Sequence, residues 1–110
     1  MAIDLGYCTY YVDDVEATIA FFEHAFGLER RFVTPEGDYG ELSTGQTTLA
    51  FASGELARAN LSEADGFTPL ALDGPPIAMA ITLVTDDVST SVAAAVGAGA
   101  SQAVAPAQKP

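Results

Sequence analysis

An Asp-Asp-Val step that leaves an apolar strand and enters a helix occurs twice in this chain, and no other feature constrains its fold as strongly. The first copy is Thr9-Tyr10-Tyr11-Val12-Asp13-Asp14-Val15-Glu16-Ala17-Thr18-Ile19; the second is Thr82-Leu83-Val84-Thr85-Asp86-Asp87-Val88-Ser89-Thr90-Ser91-Val92, at one constant offset. A supersecondary unit used twice builds a pseudo-symmetric body with a ligand site between its halves. The chain is therefore read as one domain of two modules.

Residues 5–12 are aromatic and β-branched, which favours a strand with Tyr7, Thr9 and Tyr11 on one face and Cys8, Tyr10 and Val12 on the other. Asp13 is placed to cap the next helix, with Glu16 three residues on. Val15, Ile19, Phe22 and Phe26 form its apolar stripe, and Gly27 supplies a left-handed stop. Strands over 29–34, 39–43 and 47–52 then follow, separated by turns at Pro35-Glu36-Gly37-Asp38 and Thr44-Gly45-Gln46. This is a βαβββ module over residues 3–53. Residues 54–77, rich in Gly and Pro, form the connection, with a helical turn over 56–61. A second module over 78–110 opens with a strand at 78–85, caps a helix at Asp86 and runs through Val88, Val92, Ala95 and Val96 to Gly97-Ala98-Gly99. Residues 101–105 read as its second strand. On the repeat offset two more strands are expected, to about residue 125. They fall beyond Pro110, so the chain is expected to dimerise, by strand exchange or edge pairing, to cover an open sheet.

Fifteen acidic residues against Arg30, Arg31, Arg58 and Lys109 give a net charge of −11, a field that repels phosphate backbones and anionic membranes. Nucleic-acid and membrane partners are excluded on that ground. The charge serves solubility or steers a cationic ligand. The single cysteine, Cys8, reads as a small hydrophobe in its strand and makes no intrachain disulfide. The opening residues lack a basic segment followed by an apolar run, and the expected location is cytoplasmic.

The helix ends Val12-Asp13-Asp14-Val15 and Phe21-Phe22-Glu23-His24-Ala25-Phe26-Gly27-Leu28, with Tyr39-Gly40-Glu41-Leu42 in the meander, resemble the vicinal oxygen chelate superfamily. That group includes glyoxalase I, bleomycin-resistance and fosfomycin-resistance proteins and extradiol dioxygenases. The resemblance implies an α+β fold whose paired βαβββ modules form a curved mixed sheet with a cleft, the second module here truncated after its second strand. It also implies metal-ligand positions at Tyr7, at Ala50 or Ala52, at Ala80 or Met79, and in a last strand beyond Pro110. Alanine has no donor, a thioether suits a hard ion poorly, and one phenol does not make a metal site. The expectation is accordingly a cofactor-free pocket lined by Tyr7, Thr9, Tyr11, Ala50, Ala52, Ala80, Thr82 and Val84, with Tyr39 and Glu41 as further ligand contacts.

His24 reads as a solvated helix-end residue, and both Asp pairs as helix caps. Glu41 faces either the cleft or solvent, and Arg30-Arg31 reads as solvated surface. No residue is assigned a catalytic role. Two functions are carried forward. One is a metal-free binder that sequesters an antibiotic or another organic ligand; the other is a divalent-metal-dependent lyase, isomerase or dioxygenase.

Overall fold

Strand β1 (Tyr7–Val12) rises into helix α1 (Val15–Phe26), and the chain then descends through β2 (Glu29–Val33), β3 (Tyr39–Ser43) and β4 (Thr48–Ser53). Helix α2 (Gly54–Asn60) follows β4 directly, and α3 (Val88–Gly97) comes after a long connection. The structure is a computed structural model and describes residues 2–64 and 66–108. Its four strands form one mixed, curved sheet in the order β1-β4-β3-β2, with β1 parallel to β4 and the other pairs antiparallel. No helix among the described residues is long and apolar enough to cross a membrane.

One sheet face is closed by α1. Val12, Val15, Ile19, Leu42, Leu49 and Phe51 form the buried core, with Tyr10, Phe22, Leu28, Val33 and Leu70 packed around it. The helix sits close to β3 because position 40 is glycine: a Cβ there would lie 3.1 Å from both Ile19 Cγ1 and Val33 Cγ2. Phe22 carries the helix onto β4 through Phe51, whose ring centroid is 5.2 Å away. Gly27 ends the helix as its sequence position predicts, at φ 67° with its N–H donated to the Glu23 carbonyl. The N-cap is Asp14 rather than Asp13; its carboxylate accepts from the Ala17 N–H at 2.9 Å. The second helix repeats the correction, since Asp87 rather than Asp86 accepts from Thr90, at 3.1 Å from its backbone N–H and 2.8 Å from its hydroxyl. These bonds, the backbone one first, hold the Asp87 carboxyl below the usual carboxylate range. Cys8 is half-buried rather than fully enclosed.

The second copy of the repeat makes its helix but not its strands. Residues 78–85 and 101–105, expected as strands, join no ladder among the described residues, and Val84 is 97% exposed. A strand needs a neighbour to take its backbone hydrogen bonds, whereas a helix satisfies its own. The radius of gyration, 15.4 Å, exceeds the about 13 Å expected of a compact domain of this length, as exposed extended segments require. Helix α3 instead docks on α1, and Ala94, Gly97 and Ala98 line a groove between the two helices with Ala17, Ala20, Phe21 and the exposed His24.

Candidate functional site

The sheet face opposite α1 collects the alternate residues of every strand. Register places Thr9, Ala50, Glu41 and Phe32 in one row across four strands, and Tyr11, Ala52 and Tyr39 in the next. Tyr7 lies opposite Thr48 at the open end of the face and is 58% exposed. Six of the predicted ligand contacts therefore share this surface: Tyr7, Thr9, Tyr11, Tyr39, Glu41 and Ala50, with Ala52 beside them. Ala80, Thr82 and Val84 do not join them; they lie exposed in a segment that pairs with no strand among the described residues.

A β-bulge in β2 adds the group that sequence reasoning missed. Arg30 pairs with Leu42 and Phe32 with Glu41, so Arg31 is an extra residue and two residues of β2 oppose Glu41. Arg30 turns towards α1 and meets Glu16 and Glu23, while the Arg31 guanidinium reaches across the concave face. Its Nη1 donates to Glu41 Oε1 at 2.9 Å and to Thr48 Oγ1 at 2.9 Å. The Tyr39 hydroxyl donates to the other Glu41 oxygen, Oε2, at 2.7 Å. Glu41 is only 7% exposed, and a carboxylate so enclosed requires partners of this kind. Among the described residues no buried side-chain nitrogen or oxygen is left without a hydrogen bond.

The network keeps Tyr39 protonated. Removal from water and then the Glu41 hydrogen bond push its phenol up to about 12. The Phe32 ring stands 5.9 Å from that of Tyr39, giving the edge of the face an aromatic flank. The other end is bounded by Phe67, 5.8 Å from Tyr11, with the Arg58 guanidinium 5.9 Å from the Phe67 ring. Residues 53–55, Arg58, Phe67 and the ends of β1 enclose a cavity of about 280 Å³ there.

The donor set does not fit a divalent metal of the kind the resemblance implies. Ala50 is fully buried at the centre of the face and carries no lone pair, and the carboxylate across from it, Glu41, has both oxygens engaged. No group of three or more His, Cys, Asp or Glu side chains converges among the described residues. What the face offers is aromatic surface, hydroxyl groups and one partly engaged guanidinium.

A βαβββ module with one sheet face packed on its helix and the other free belongs to a class of scaffolds whose chemistry varies from member to member. The chain is a member of the glyoxalase/bleomycin resistance protein/dioxygenase superfamily, whose family model matches residues 4–109. The fold is similar to that of a glyoxalase/bleomycin resistance protein/dioxygenase family enzyme from Burkholderia phytofirmans, at 22% identity and a TM-score of 0.68 over 88% of this chain and 74% of that one. It is also similar to a glyoxalase-related enzyme from Fulvimarina pelagi, at 17% identity and a TM-score of 0.67 over 89% of this chain and 66% of that one. A glyoxalase/bleomycin resistance protein/dioxygenase from Nocardioides matches at 18% identity and a TM-score of 0.63, over 100% of this chain and 71% of that one. A search of curated proteins finds no match.

Proposed function

We propose that this protein binds a small organic molecule on the concave face of its sheet without a resident metal, in the sequestering manner of the resistance proteins of its superfamily. The observation that carries this reading is Ala50: a buried methyl at the centre of the face, flanked by the Thr9 hydroxyl position and by a Glu41 carboxylate whose oxygens are both engaged. A metal site would need an uncommitted donor there. Binding surfaces for organic ligands need apolar area with a few polar groups that fix orientation, and Tyr7, Thr9, Tyr11 and Tyr39 supply both.

A ligand that binds only the folded state raises the melting temperature by mass action. The test is a thermal-shift screen of small organic compounds, antibiotics included, with and without a strong chelator. A rise of equal size in both conditions is expected. A rise abolished by the chelator and restored by a divalent ion would overturn the metal-free reading in favour of a metal-dependent lyase, isomerase or dioxygenase.

A further inference from the structure

We infer that the concave face grips its ligand by an acidic group, a carboxylate seated on the outer edge of the Arg31 guanidinium; the inference rests on the binding role proposed above. Two adjacent arginines show what is unused. Arg30, on the helix side, spends its whole fork: Nη1 meets Glu16 at 2.9 Å, and Nη2 and Nε meet Glu23 at 2.9 and 3.2 Å. It holds two carboxylates. Arg31, on the concave side, makes both of its hydrogen bonds through Nη1, to Glu41 and Thr48. Its Nη2 and Nε have no partner among the described residues, and its side chain is 40% exposed.

A guanidinium is planar, so anchoring one nitrogen between two acceptors orients the remaining N–H groups. The Nη2 and Nε edge then presents two nearly parallel donors, the geometry that matches both oxygens of a carboxylate. Glu41, by contrast, is 7% exposed and already has each oxygen in a hydrogen bond, so it is less open to a ligand cation than the outer edge of Arg31 is to an anion. The rings of Phe32 and Tyr39, 5.9 Å apart, stand on the same face for the apolar body of such a ligand. The net charge of −11 opposes an anion, but charges spread over the surface act through water and are screened beyond about 8 Å at physiological salt. A bidentate pair acts at contact distance. An expectation drawn from net charge thus favours a cationic ligand, and the site chemistry favours an acidic one.

Benzoate, benzamide and benzylamine share one ring and differ in charge, so titrating each into the full chain separates these expectations. Nitrogen-correlated NMR spectra that include the arginine Nε–H signals provide the readout. Benzoate is expected to move the Arg31 Nε signal and to bind more tightly than either of the other probes. Arg31→Lys keeps the charge but loses the fork, and is expected to weaken benzoate about tenfold or more. Arg30→Lys, on the opposite face, is expected to leave benzoate affinity unchanged. Benzamide or benzylamine perturbing the concave residues as strongly as benzoate would overturn the acidic-ligand inference and leave the binding role standing. A benzoate affinity within about twofold of wild type in Arg31→Lys would do the same. If none of the three probes perturbs any residue of the face, the inference and the binding role fall together. Should Arg31→Lys not fold, the ranking of the three probes on the unmodified chain and the Arg31 Nε signal decide the question.

Discussion

Residues 7–53 and residues 78–108 carry the same Asp-Asp-Val signal and the same style of helix cap, yet only the first stretch builds a sheet. Asp14 and Asp87 each accept a backbone N–H three residues on, at 2.9 and 3.1 Å, and each opens a helix. Upstream of the caps the two regions diverge. Tyr7–Val12 lies along β4 in continuous parallel register, whereas 78–85 finds no strand to pair with among the described residues. The difference separates local from non-local structure. A helix start is decided within four residues, by a cap and the first turn of bonds. A strand is decided by whatever lies about 5 Å to its side, and the first module has β4 to offer β1 while the second shows no equivalent among the described residues.

That contrast predicts very unequal costs for similar substitutions. Leu42→Ala, in a fully buried position between α1 and the sheet, should lose about 2–5 kcal/mol of stability in chemical denaturation. Leu83→Ala, in the exposed segment, should stay within about 0.5 kcal/mol. Equal losses would mean that 78–85 is packed in solution, and the comparison would fail.

The caps sharpen the same point on a smaller scale. Asp14→Ala should cost about 1 kcal/mol of global stability, because the helix it opens carries Val15 and Ile19 into the core. Asp87→Ala should speed amide exchange in the first turn of α3 with a smaller global loss, since that helix contributes only Ala95 to the buried set. Exchange measured residue by residue alongside denaturation reads both effects.

The last effect is confined to alkaline solution and belongs wholly to the ordered module. The Tyr39 phenol ionises near its ordinary 10.0 in the unfolded chain and at about 12 in the folded one. The folded state thus holds the proton more tightly. The stabilisation this provides is fully present below pH 10 and is lost as pH rises towards 12. Phenolate absorbance should show one titration at about 12 that Tyr39→Phe removes, with a flatter decline of stability over the same range. A wild-type titration complete well below that value would show that Tyr39 is not withdrawn from water and bonded to Glu41 in solution.

Much of the first module was legible in the residues. Period two in β1 placed Tyr7, Thr9 and Tyr11 on a common face, and turn chemistry at 35–38 and 44–46 separated the strands, because both signals are local; Ala50 came from the family resemblance, and the strand register is what sets Tyr39 and Ala50 on that face. The choice between Asp13 and Asp14 was not legible, since either residue suits a cap and only the backbone angles at position 14 decide. The fate of Arg30 and Arg31 was illegible for a different reason. Consecutive strand residues alternate by default, and the bulge that sets Arg31 and Phe32 together against Glu41 leaves no mark in the residue types.

The sequence by itself determined the family, the βαβββ order of the first module and the presence of the two helices that follow the Asp-Asp steps. Each follows from residue identity or from interactions within a few positions along the chain. Only the tertiary structure decided that Glu41 is enclosed, that Arg31 and Tyr39 hold it, and that 78–85 pairs with no strand among the described residues. Burial and strand pairing depend on which distant segments meet, and the Glu41 carboxylate acquires Arg31 only when β2 pairs with β3.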